Sequence, residues 1–198
     1  MRTTTLLHTA ALTVLAILGA SCASSGDSHQ DMNEMLPSFT NVSKSVLNAE
    51  PASPRRRLEA DLESVTISVE FGSPSKKGRA LWGALVPYDA VWRTGANEAT
   101  TFESSGDLLV QGQPLPAGRY SVFTIPTATE WTVIFNSQPD QWGAYEYDAT
   151  RDALRVAATP AESDMAESME FVAGDAGALT LRWGKLALPI LLSPASMN

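Results

Sequence analysis

Cysteine and histidine are almost missing from this chain of 198 residues, which has one cysteine, Cys22, and two histidines, His8 and His29. A lone cysteine excludes an intrachain disulfide. It also excludes thiolate metal sites of the zinc-ribbon kind, which need several sulfur ligands. From Asp61 onward there is no histidine at all. A domain built from those residues cannot use Ser-His-Asp or Cys-His catalysis, nor ligate a metal through imidazole. Only an all-oxygen site would remain, and no EF-hand-like loop is present, so neither metal nor cofactor is expected. Basic charge is scarce as well: 14 Lys and Arg stand against 22 Asp and Glu, for a net charge of -8. A nucleic-acid partner would demand a basic face to neutralise phosphates, so none is expected. Long hydrophobic runs are lacking too. The apolar stretch Leu6 to Leu18 falls short of the roughly 20 residues that a membrane-spanning helix needs.

What the N-terminus does have is an address. Met1-Arg2 gives a positive start, the apolar stretch follows, and Gly19-Ala20-Ser21 supplies small residues before Cys22. This is the order of a secretory signal peptide, expected to span residues 1–21. The segment Leu18-Gly19-Ala20-Ser21-Cys22 resembles a bacterial lipoprotein signal, departing from it at Gly19, where leucine is usual. The resemblance implies lipidation at Cys22 and a membrane partner through the acyl chains, each buried CH₂ contributing about 0.8 kcal/mol. Ala23 follows, rather than aspartate, which implies the outer membrane, facing periplasm or surface. Ordinary cleavage nearby would instead leave a soluble periplasmic or secreted protein. Residues 22–60 then read as the lipidated cysteine and a flexible tether, since Ser24-Ser25-Gly26-Asp27-Ser28 and Pro51-Ala52-Ser53-Pro54 are loop-forming clusters. Arg55-Arg56-Arg57 within it reads as a solvated charge cluster, or more sharply as a headgroup contact or processing site.

From residue 61 to 192 the pattern is that of a β domain, with a tail at 193–198. Val65, Ile67, Val69 and Phe71 alternate with Thr66, Ser68 and Glu70, the mark of a half-buried strand. Leu108-Leu109-Val110 and Gln113-Pro114-Leu115 flank Gln111-Gly112, which predicts a hairpin with a two-residue turn. Arg119 to Ile125 is apolar on both faces and reads as a central strand. Further strands are predicted at Trp131–Phe135, Leu154–Ala158, Met169–Val172 and Ala178–Trp183, with Gly184-Lys185 a tight turn into Leu186–Leu191. Pro189 has no N–H to donate, so that last strand should be an edge or a bulged one. The expected fold class is all-β, an antiparallel β-sandwich, in its finer reading jelly-roll-like.

The segment Lys77 to Thr100 concentrates polar function: Arg79, Arg93, Asn97 and Glu98 stand among the indoles Trp82 and Trp92. Lys77-Gly78-Arg79, Leu85-Val86-Pro87-Tyr88 and Val91-Trp92-Arg93-Thr94-Gly95-Ala96-Asn97-Glu98-Ala99-Thr100 form a signature. With Leu115-Pro116-Ala117-Gly118-Arg119-Tyr120-Ser121, Trp131 to Asn136 and Trp142-Gly143-Ala144-Tyr145, it resembles the bacterial family called domain of unknown function twenty-nine eleven. The resemblance runs from about Val65 to Ile190. It implies no catalytic or binding residues that could be carried over. Its members often have an arginine near the position of Ser73, which this chain lacks.

Read from the residues themselves, the fork of Arg93 suits a carboxylate. Asn97 can donate and accept toward sugar hydroxyls or peptide amides. Trp92 and Trp142 offer stacking faces. Arg79, Trp92, Arg93, Asn97, Glu98 and Trp142 are therefore the candidate ligand-binding residues. Against that stands a structural reading, in which Arg93 and Glu98 form a buried ion pair that fixes an irregular connection; this pair is the expectation. In function, the first reading is a cell-envelope lipoprotein whose sandwich binds a small ligand or a protein partner, a glycan or cell-wall fragment included. The second is a glycan hydrolase running on carboxylates alone, Glu98 with Asp89, Glu70, Asp148 or Glu146. The third is a structural protein of envelope assembly, recruiting a partner strand at a sheet edge.

Overall fold

The alternation at Val65–Phe71 sets up the core. In the computed structural model, which describes residues 36–48 and 52–195, Val65, Ile67, Val69 and Phe71 are all buried while Thr66 between them is exposed. This strand, β3 (Val65–Gly72), lies inside a seven-stranded sheet. The sheet runs β1 (Phe39–Asn48), β2 (Arg55–Leu62), β3, β4 (Thr100–Ser104), β7 (Gly118–Ile125), β8 (Trp131–Asn136) and β9 (Asp152–Ala158). A second sheet of four strands has the order β10 (Ala161–Ala173), β11 (Ala178–Pro194), β5 (Leu108–Val110) and β6 (Gln113–Leu115). All these strand pairs are antiparallel. The two sheets pack face to face as an all-β sandwich. Leu58, Ile67, Phe102, Val122 and Phe135 of the first meet Leu108, Phe171, Leu181, Trp183 and Leu192 of the second in one buried cluster. Along the large sheet, sequence neighbours are mostly spatial neighbours. The order is therefore a meander, broken once where the chain leaves between β4 and β7 to build the β5–β6 hairpin, rather than a jelly roll's paired Greek keys.

The β5–β6 turn is as predicted: Gln111 (φ 50°) and Gly112 (φ 77°) both take positive φ, as a type I′ turn requires. The Gln111 side chain then joins three strands, donating to the Ala157 carbonyl at 2.8 Å and accepting from the Leu191 amide at 3.0 Å. β7 is central, between β4 and β8. Behind the sheet, Phe123 and Ile134 form a second small core with Ala99, against which Val91, Ala144 and Tyr147 pack.

Three expectations are corrected. Gly184-Lys185 is not a turn. Gly184 does have positive φ (63°), but the chain runs on through it as the continuous strand β11, and the glycine marks an irregularity in its pairing with β10. Pro189 lies between the stretch that pairs with β10 and the stretch that pairs with β5, where its missing N–H costs no ladder bond. The largest correction concerns the tether. Of residues 22–60, Phe39–Asn48 and Arg55–Ala60 lie in the sheet as β1 and most of β2. Leu58, Ala60 and Leu62 are buried. The Arg55-Arg56-Arg57 run is accordingly no solvated linker cluster: Arg57 pairs in register with Glu70, and Arg56 with Phe71. The signal peptide and Cys22 lie outside the described residues, as do residues 196–198 of the tail, while Ser193 and Pro194 belong to β11 and pair with β5.

Candidate functional site

Between β3 and β4 the chain makes a long excursion, residues 73–99, held by isolated bridges instead of full strands. Its backbone is tightly folded. Lys77, Gly78, Gly83, Asp89, Thr94 and Asn97 all have positive φ, between 48° and 74°. For a β-branched residue such as Thr94 that conformation is a genuine outlier and needs support from its surroundings. The support is visible. The hydroxyl of buried Thr94 donates to Thr124 Oγ1 at 3.2 Å, and its carbonyl accepts from Thr100 Oγ1 at 2.7 Å. On one side of it, Trp92 exchanges two backbone hydrogen bonds with Thr124, both 2.8 Å. On the other, the amide of Ala96 donates to the Gly72 carbonyl at 3.3 Å. Gly72 must be glycine here, because a Cβ would lie 2.0 Å from the Ala96 oxygen.

This excursion walls a cleft of about 500 Å³. Its floor is aromatic. Trp92 of the excursion and Trp183 of β11 are stacked, ring centroids 6.1 Å apart and 17° between planes, with Trp82 edge-on to both. Its polar walls are Lys77, Arg79, Arg93 and Asn97. Four of the six predicted ligand-binding residues, Arg79, Trp92, Arg93 and Asn97, are thus lining residues of one cleft. Glu98 and Trp142 are not among them. They pair with each other through a backbone bridge beside it, and the Trp142 ring is exposed.

The expected Arg93–Glu98 ion pair does not form. The Glu98 carboxylate lies 3.6 Å from Arg55 and its side chain is 46% exposed. Asn97, with positive φ between Arg93 and Glu98, turns the two away from a shared partner. Among the described residues the Arg93 guanidinium has no hydrogen-bond or ion-pair partner, and its Nε is buried. Arg79 is fastened at the rim: its Nε donates to the Lys76 carbonyl at 3.0 Å and its Nη2 to the Ser75 carbonyl.

The residue that sequence reasoning missed is Arg55. It lies 3.4 Å from Glu70 and 3.6 Å from Glu98, so it joins β2 to β3 and to the end of the excursion. Burial raises the Glu70 carboxyl, but the hydrogen bond and charge of Arg57, with Arg55 behind it, outweigh that, and the group sits below the ordinary carboxylate value. A general acid needs the opposite shift. Ser73, where an arginine was noted in similar chains, is fully buried and donates to the Met169 carbonyl at 2.7 Å, so it takes no part in the cleft. Among the described residues no group of three or more His, Cys, Asp or Glu is placed to hold a metal ion.

No curated protein and no solved structure matches the chain. The sequence model of the family described as Protein of unknown function (DUF2911) matches residues 53–192. That span runs from β2 into β11 and takes in both cleft indoles and all three cleft cations. The chain therefore belongs to that family.

Proposed function

We propose that this is an exported lipoprotein of the bacterial cell envelope, anchored through Cys22, whose β-sandwich binds a small ligand of the glycan or cell-wall-fragment kind. The observation that carries the binding reading is the cleft under the excursion 73–99. Its volume, about 500 Å³, is that of a small-molecule site, and it joins an aromatic floor to a few polar groups on its wall. Asn97 and the cations can answer a sugar's hydroxyls above an apolar floor whose indoles, Trp92 and Trp183, are themselves buried. The hydrolase reading finds less support. No carboxylate lines the cleft, and Glu70, one of the proposed partners of Glu98, is held ionised by two arginines. The anchoring reading rests on the sequence from Met1 to Ala23.

Two experiments test the two halves. The full chain, purified in detergent, is screened against peptidoglycan saccharides by thermal shift. A hit should be lost in Ala90→Trp, which puts an indole on an exposed wall of the cleft without touching the core. Binding that survives this filling would place the ligand elsewhere. For the anchor, labelling with a fatty-acid analogue should mark the wild type and not Cys22→Ser. Equal labelling of both would remove the lipoprotein reading.

A further inference from the structure

Resting on the reading of the cleft as a ligand site, we infer that its ligand carries an oxyanion, a carboxylate or phosphate on a saccharide, received by the guanidinium of Arg93. The first observation is the sign of the charge. The whole chain is acidic, at -8, yet the cleft collects Lys77, Arg79 and Arg93 and is lined by no carboxylate. Two nearby acids point to other partners. Glu98 is drawn off to Arg55, and Glu167 accepts the backbone amide of Lys77 at 2.7 Å. Positive potential in a concave site with low-dielectric walls is what draws an anion in.

The second observation is Arg93 itself. Its neighbours in kind are paired: Arg57 with Glu70, Arg119 with Asp140, Arg155 with Asp152, Arg182 with Glu170. Arg79 is satisfied by two carbonyls. Arg93 has none of this among the described residues, although its Nε is buried from water. The two Nη groups of Arg93 are not buried and have no partner among the described residues either, so they are free to donate two N–H bonds to a bound oxyanion. Arg56 also has a buried, unpartnered Nε, but the groove it lines contains Glu170, so that groove is not free of acid.

The third observation is independent of charge. The residue after Arg93 is Thr94, a β-branched residue held at φ 54° by hydrogen-bond contacts with three residues, Trp92, Thr100 and Thr124. Backbone strain of this kind gathers where a side chain has to be held in one place. Here it fixes the backbone next to Arg93 in the wall of the cleft that Trp92 and Trp183 also line. An oxyanion on Arg93 with the sugar against the apolar floor uses both halves of the cleft.

The test titrates the full chain with three probes and reads tryptophan fluorescence and calorimetry. They are N-acetylglucosamine, N-acetylmuramic acid, which adds a carboxylate to it, and N-acetylglucosamine 6-phosphate, which adds a phosphate. At least one anionic sugar should bind about ten-fold more tightly than the neutral one, and the gap should narrow as salt rises. Which of the two binds better identifies the source of the oxyanion. Arg93→Gln should abolish the gap and Arg93→Lys should restore part of it. If Arg93→Gln does not fold, Arg79→Gln at the exposed rim still reads the same field and should cut the gap about three-fold. Equal binding of the neutral and both charged sugars overturns the oxyanion and leaves the glycan cleft standing. A gap that persists in Arg93→Gln overturns the assignment to that residue. Binding of none of the three overturns both the inference and the cleft reading beneath it.

Discussion

Arg55 holds Glu98 at 3.6 Å and Glu70 at 3.4 Å, so one guanidinium at the start of β2 ties down both a strand and the last turn of the excursion. The two carboxylates are not equivalent. Glu98 is 46% exposed and Glu70 only 16%. Glu98→Gln should therefore cost about 1 kcal/mol or less in urea denaturation, as partly exposed ion pairs do. Glu70→Gln leaves Arg55 and Arg57 without their shared negative charge and should cost about 1–3 kcal/mol. Equal costs would mean that Glu98 anchors Arg55 as strongly as Glu70 does.

Acid should weaken the fold through the same residue. Despite burial, Arg57 and Arg55 hold Glu70 below its unfolded value of 4.5, so the native state binds fewer protons than the unfolded one. The contribution is complete above that value and is lost as pH falls through the lower native one. Asp61, lowered by hydrogen bonds from Asn41 and Thr66, adds in the same direction. Urea midpoints taken from about pH 6 down to about pH 3 should fall, and fall less steeply in Glu70→Gln. Parallel slopes for the two proteins would exclude Glu70 as a source.

The wall of the cleft depends on a close approach of two backbones. Gly72→Ala would put a methyl carbon 2.0 Å from the Ala96 oxygen, and neither backbone has a flexible end to yield. A loss of about 3 kcal/mol is expected, at the upper end for overpacking. Ligand binding should suffer with it, because Ala96 and Asn97 line the cleft. A variant as stable as wild type would mean that the Gly95–Asn97 turn can swing outward freely.

How much of this was legible in the sequence follows from what burial leaves behind. β3, β5, β6, β7 and β8 bury one face or both, and their apolar spacing could be read directly. β1 could not be read, because apart from half-buried Phe39 all its residues are exposed. It is held by its ladder to β2, and a backbone ladder leaves no period in the side chains. β2 did alternate, at Leu58, Ala60 and Leu62, but the signal was three residues long and stood behind Pro51 to Arg57, which reads as linker. The cleft was half legible. Its residue types clustered within Lys77–Asn97, but Trp183 comes from a strand far along the chain, and nothing in the local sequence could supply it. The Arg93–Glu98 pair failed for a local reason. Spacing puts those residues near each other, but which way each points depends on φ at Thr94 and Asn97.

The same difference between β1 and β2 makes the last prediction. The family match begins at residue 53, after β1 and before β2. β1 contributes little apolar burial beyond half-buried Phe39, and its loss exposes the outer edge of β2 and removes the surface pair Lys44–Glu170. A chain beginning at Ala52 should therefore melt within a few degrees of the full-length protein, corresponding to a loss of about 1 kcal/mol. A chain beginning at Leu58 is a different matter. It lacks Arg55 and Arg57, leaves the half-buried Glu70 without its cations, and removes the Pro54 carbonyl that accepts the Ser73 amide at 2.9 Å. Each of those losses strands a polar group beside the excursion, so this chain should lose several kcal/mol and with it the cleft. Thermal melts of the two truncations decide it. If the shorter chain melts like the longer one, β2's arginines do not hold the excursion, and its own hydrogen bonds, those of Thr94 with Thr100 and Thr124 and of Ala96 with Gly72, are enough to support the cleft.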